Sequence, residues 1–274
     1  MRQIRLKNAK GQLFDLTAPG IAFLHDISGF GFSVDAEYEN IGSQYIPIER
    51  ELEQMKPSGV IEFAGYEIYR EFILFIQKRP LVLEYEIAAI TYYLDVAIKK
   101  IDKGELNNLA RLECPIIFES LGRMYKKVIR KINTQMTAGK AYLYEYPYTY
   151  SSETSGCVII ESDSTLDSPA TLTFIGPCIN PTWTHYVDGE RCCNGRVNCE
   201  IPQGHRLIVS TYGLYKIVEE DSFGQEIEDR YKDSDFSTER FVTLSQGENK
   251  ISFVHDGTNA LDVIVEGMIC YESV

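Results

Sequence analysis

The stretch GYEIYREFILFIQKRPLVLEY, Gly65 to Tyr85, decides how the first half of the chain is read. Tyr66, Tyr69, Ile73 and Ile76 recur at helical spacing, and Phe72 and Phe75 widen the apolar stripe. Glu67, Arg70, Glu71, Gln77 and Lys78 take the other face. Pro80 cannot donate a backbone hydrogen bond and biases Arg79 out of the helical basin, so the helix is predicted to stop there. Leu81, Leu83 and Tyr85 then alternate with Val82 and Glu84 as a strand does. The Tyr66, Tyr69, Ile73, Ile76 stripe is expected to lie on a sheet.

Upstream, Ile4 and Leu6 alternate with Arg5 and Lys7, and Asn8–Gly11 turns the chain into Leu13–Leu16, a β-hairpin pattern. Ile21–His25, Phe30–Val34 and Val60–Phe63 read as strands. Glu37–Ser58, polar and containing Pro47 and Pro57, reads as a long exposed loop. Downstream, Thr91–Ile101 is rich in β-branched and aromatic residues and reads as a strand, with Lys103–Asn108 a polar turn. Leu109–Phe118 alternates too, with Pro115 arguing for an edge position or a bulge. A linker is expected within Lys126–Lys140, dividing the chain into domains 1–132 and 133–274.

Beyond it no helical periodicity of useful length occurs. Strands are expected at Tyr142–Tyr150, Gly156–Ser162, Ala170–Gly176, Arg196–Ile201, His205–Thr211 and Leu214–Glu219. Arg240–Leu244, Lys250–His255 and Asp262–Tyr271 follow, with turns at Gln203-Gly204, Gln246-Gly247 and Asp256-Gly257, the rhythm of a β-sandwich. The fold class is therefore mainly β: an α+β N-terminal domain with one main helix, then an all-β sandwich.

The 274 residues carry 40 acidic against 27 basic side chains, a formal charge of -13. Such a surface repels phosphate and argues against nucleic-acid recognition. No apolar run is long enough for a membrane helix, and the N-terminus has no apolar signal-peptide core. The seven cysteines suggest synthesis in a reducing cytoplasm, with Cys114, Cys157 and Cys270 expected as buried thiols.

Motifs for catalysis are missing. Gly29-Phe30-Gly31-Phe32 lacks the third glycine and the following helix of a dinucleotide site. His25, His185, His205 and His255 are far apart and read as polar strand or turn residues. Cys178, Cys192, Cys193 and Cys199 lack the paired knuckle spacing of a zinc site, and adjacent Cys192 and Cys193 would point to opposite faces of a strand. The acidic run Glu219–Asp235 does not fit a calcium loop and reads as a solvated loop. No catalytic, cofactor or metal site is expected, and no cofactor.

Several motifs nevertheless share an order and spacing: the Asn8–Gly11 hairpin, Gly29–Phe32, the Tyr66–Ile76 helix running to Leu81–Tyr85, Tyr92–Ile101 and Leu112–Phe118. In the second half come GPCINPTW (Gly176–Trp183), Gly189, Gly195, IPQGHRLIV (Ile201–Val209) and SQGENKISF (Ser245–Phe253). Over nearly its whole length the chain resembles the distal tail (Dit) proteins of siphophages and prophages, the hub of the tail baseplate. That resemblance implies a non-enzymatic structural protein of the virion tail tip, made in the host bacterial cytoplasm. It implies an N-terminal belt-like domain that closes a homo-hexameric ring and a C-terminal galectin-like β-sandwich. The implied partners are the tail tube protein, the tail-associated or tail-tip protein and receptor-binding proteins. The alternative is a carbohydrate-binding adhesin using the C-terminal sandwich, with Trp183, the sole tryptophan, as the sugar-stacking residue near His185 and Glu190. The residues of the ring interface are not assigned by the sequence.

Overall fold

The computed structural model describes residues 2–133 and 154–274. It is mainly β, with a single α-helix among the described residues. The chain divides into two compact units, Met1–Lys126 with Tyr271–Val274, and Lys127–Cys270. The strand expected at Tyr142–Tyr150 and the linker from Thr134 onward lie outside the described residues. The opening residues of the span Lys126–Lys140, up to the last described one, are strand within Met124–Asn133.

In the first unit Gln3–Lys7 pairs with Leu13–Asp15 and with Leu81–Ile87. The ladder continues through Ile90–Ile101, Leu112–Ser120, Ser58–Phe63 and Ala22–Ser28, all antiparallel. Thr17–Ala18, one residue beyond Leu13–Asp15, pairs back onto Ala22–Ser28, so the ladder closes on itself. Pro115 lies inside this ladder, between two neighbours, not at its edge. It is tolerated because pairing with Ile90–Ile101 begins only at Ile116, so its missing N–H faces the frayed end of that ladder. A bulge does follow, between Ile117 and Phe118.

Helix α1, Tyr66–Ile76, covers this sheet. Its buried residues are Phe72 and Phe75, with Ile68, Tyr69, Ile73 and Ile76 half-buried around them. The contact line is thus turned from the expected stripe: Tyr66 is exposed, its hydroxyl donating to Glu105. Aromatic packing decides this. Phe14 and Phe63 from the sheet meet the Phe72 ring at 5.1 and 5.2 Å, and burying each such ring contributes roughly 1.5–3 kcal/mol. The helix ends at Ile76, before Pro80, which instead precedes the next strand. Phe30–Val34 is no strand before Val34; Phe30 stacks on Tyr85. Gly29 holds φ 80°, and a Cβ there would strike the Lys56 carbonyl, so this glycine is a backbone requirement.

The second unit is two facing sheets. One orders Asp262–Tyr271, Ser168–Ile175, Arg206–Ser210, Lys216–Glu220 and Glu226–Asp229. The other orders Thr154–Ser162, Gly247–His255, Thr182–Val187 and Glu190–Arg196. Strict alternation sets the inner faces: Leu172 and Phe174 from one sheet, Ile251 and Phe253 from the other. The segment expected as one strand at Arg196–Ile201 straddles the end of Glu190–Arg196 and the short strand Glu200–Ile201. Thr182–Val187 and Glu190–Arg196 are further strands outside the expected set; in the second, Cys, Asn, Gly and Arg obscure the period.

Candidate functional site

Glu37–Ser58, expected as a loop, begins with an arm. Val34–Ile41 and Gln44–Leu52 form an antiparallel hairpin around Gly42 and Ser43, and no other described strand pairs with it. Pro47 is accommodated at the register shift between Glu37 and Tyr38. An isolated two-stranded hairpin is marginally stable in water, and this one is exposed on both faces. Tyr38, Ile41, Tyr45, Ile46 and Ile48 are all exposed, Tyr45 by 71%. At its base, Asp35 lies opposite Glu51 and Glu37 opposite Glu49, like-charge pairs that weaken a ladder. Arg123 holds the base to the unit, its Nη1 and Nη2 donating to the carbonyls of Glu53 and Leu52 at 2.9 and 2.8 Å. The arm is thus anchored at its base and carries exposed apolar side chains on both strands.

The residues weighed for chemistry are placed differently. Trp183 is fully buried, its indole against Phe174 at 5.6 Å and its Nε1 donating to the Arg240 carbonyl at 2.8 Å. Gly195 lies beneath the ring, where an added Cβ would overlap it. Trp183 therefore offers no face to a sugar. His185 is buried and hydrogen-bonded to Asn249 at 3.1 Å; burial holds its pKa below the usual value despite that bond. His255 bonds the Asn259 carbonyl and accepts from the Gly257 N–H. His25 pairs with Asp26 at the surface.

His205 joins a charged network. Its Nδ1 lies 2.6 Å from Glu219 Oε1, while Arg230 donates from Nε and Nη2 to Oε2 at 2.9 and 2.6 Å. Burial alone would raise the Glu219 pKa, but the hydrogen bonds from His205 and Arg230 outweigh it and hold the carboxyl below its ordinary value. The acidic run is thus only partly loop: it spans Lys216–Glu220, Glu226–Asp229 and a 3-10 turn at Tyr231–Asp233.

Cys178, Cys193 and Cys199 are buried, and burial pushes their thiols up to about 12, 12 and 11, so none is a thiolate near neutral pH. Cys192 is exposed beside buried Cys193, at a register shift where the ladder skips Cys192. Cys114 and Cys270 are buried, whereas Cys157 is exposed on the outward side of its strand. Among the described residues no three His, Cys, Asp or Glu side chains gather to hold a metal ion.

The family model described as "Distal tail protein, N-terminal domain" matches residues 3–121, a span that includes the whole arm. Over its full length the chain is similar to a protein of the phage P2 baseplate in its activated conformation, at 17% identity and TM-score 0.62, covering 97% of this chain and 98% of that one. It is similar also to the Dit protein of phage SPP1, described as a hub of the adsorption apparatus in phages infecting Gram-positive hosts. There the identity is 12% and the TM-score 0.58, over 96% and 98% of the two chains. At these identities the likeness establishes the fold. A comparison with curated proteins by sequence gives no match.

Proposed function

We infer that the chain belongs with the distal tail proteins, the structural baseplate hubs of phage tails: residues 3–121 are that family's N-terminal domain, and the fold follows the hub proteins almost end to end. We propose that it works as a non-enzymatic ring subunit in the virion tail tip. Domain 1–132 would close a homo-hexameric belt, and domain 133–274 would stand as a galectin-like sandwich. One face of the ring meets the tail tube protein and the other the tail-tip protein, with receptor-binding proteins carried outside. Synthesis takes place in the cytoplasm of the host bacterium.

The observation that carries this reading is the Val34–Leu52 arm. Its exposed tyrosines and isoleucines leave a marginal hairpin with apolar surface that a neighbouring copy would bury. Closed rings arise when such heterologous contacts repeat under rotation. Light scattering on the full chain tests it: a six-copy assembly is expected, alone or with the adjoining tail proteins. Replacing residues 36–50 by a short Gly-Ser turn is expected to leave a folded monomer. A ring that persists without the arm removes the arm from the ring contact, and a chain that stays monomeric with its tail partners present overturns the proposal. The carbohydrate-binding alternative has no favouring observation, since Trp183 is buried.

A further inference from the structure

Among the described residues, one sheet of the second unit ends in a strand whose outer edge is unpaired. Glu226–Asp229 pairs with Lys216–Glu220 on one side, through Val218↔Asp229, Glu219↔Glu228 and Glu220↔Glu226, and with no described strand on the other. A strand edge offers backbone donors and acceptors to any chain that can lie along it.

Both ends of this edge carry exposed apolar side chains. At one end the turn after Glu220 displays Phe223, which is 94% exposed. At the other, Tyr215 stacks on Phe241 at 4.9 Å, and Tyr231 meets Phe241 and Phe236 at 6.2 and 5.7 Å. The Arg240 guanidinium sits among these rings, 4.4 Å from the Phe236 centroid and 5.0 Å from that of Tyr231. Its Nη2 donates to the Tyr231 hydroxyl, and its Nε is buried without an acceptor. Four residues of strand, about 13 Å, separate the two ends. Single exposed hydrophobics are ordinary, but aromatics grouped at both ends of an open strand mark an interaction surface.

Charge narrows the occupant. Glu219 and Glu220 turn inward to His205, Arg230 and Arg206. Glu226 and Asp229 are exposed on the edge strand itself, while the nearby cations Arg230 and Lys232 are already held by Glu219, Glu228 and Asp233. Two copies of this acidic edge repel each other, as does a second chain of net charge -13. An added strand with lysine or arginine at alternate positions gains ladder hydrogen bonds and opposite-charge pairs together.

We propose that the Glu226–Asp229 edge, with Phe223 and the Arg240 aromatic cluster at its ends, docks an extended basic segment of another protein as one further strand. The inference rests on the hub reading only for its biological setting. The test uses the purified full chain, so its outcome and that of the arm deletion are independent.

Fluorescence anisotropy with an alternating Lys-Val octapeptide should show saturable binding to the wild type, and an alternating Glu-Val octapeptide should show none. Glu226→Lys is expected to weaken the first peptide at least about threefold, and Phe223→Ser to weaken it without altering the charge. Amide exchange at Ile227 should slow in the complex, a readout that diffuse charge attraction does not produce. Equal binding of the two peptides, unchanged binding by the lysine variant, or no slowing at Ile227 overturns the proposal. So does self-association of the wild type through this edge that Glu226→Lys abolishes, which would assign it to a second copy.

Discussion

Two antiparallel strand pairs in this protein have the same backbone ladder and opposite fates. The Val34–Ile41 and Gln44–Leu52 pair is exposed on both faces, whereas Thr182–Val187 and Gly247–His255 bury Trp183, His185, Ile251 and Phe253 on one. A hydrogen-bond ladder contributes little net stability beyond what water already offers, so burial separates the two. The inner pair holds its own unit together. The arm buries no such face within its unit, so on the proposed reading its substitutions are read in assembly and those of the inner pair in folding.

The contrast breaks first at Trp183. Trp183→Ala removes the largest fully buried side chain and should cost about 3–5 kcal/mol, measured as a lowered denaturation midpoint at unchanged slope; a loss below about 1 kcal/mol would show that the sheets do not depend on it. Arg230→Met leaves Glu219, whose side chain is 4% exposed, with His205 as its remaining side-chain hydrogen-bond partner. A loss of about 3 kcal/mol is expected. Gly195→Ala drives a Cβ into the Trp183 indole and should cost about 1–3 kcal/mol, with a shift in tryptophan fluorescence as the local readout.

Acid sharpens the same comparison. Burial lowers the His185 pKa in the fold, so the unfolded chain takes up that proton first, and stability falls as pH drops below about 6.5. His185→Gln should flatten that part of the profile. The Glu219 pKa is lowered from 4.5, so its contribution is fully present above that value and is lost as pH falls below it. The smallest folding effect belongs to the arm: Tyr45→Ser with Ile48→Ser should change stability by no more than about 0.5 kcal/mol while abolishing oligomers in light scattering. A destabilised monomer would mean that the arm supports its own unit.

Much of the fold was legible because one face of each element is buried. Val263, Val265 and Ile269 alternate inward along Asp262–Tyr271, a strand readable to its ends, as was Leu81–Tyr85 within Leu81–Ile87. The arm was not readable. With neither face buried, its sequence carries no period to separate strand from loop, and Pro47 argued against a ladder that a register shift accommodates. The aromatic cluster around Arg240 escaped for a related reason. Tyr215, Tyr231, Phe236 and Phe241 have no regular spacing and meet only because the Lys216–Glu220 hairpin returns the chain.

The sequence by itself determined the mainly β class and the helix with its polar face, because each follows from local periodicity and backbone sterics. Tertiary structure alone decided which ring of the helix stripe is buried, that Trp183 faces inward onto Gly195, and that Glu37–Leu52 forms the larger part of an arm. Those outcomes depend on which distant side chains arrive opposite one another, such as Phe14 and Phe63 against Phe72. Periodicity specifies a face; close packing between elements far apart in sequence specifies what that face meets.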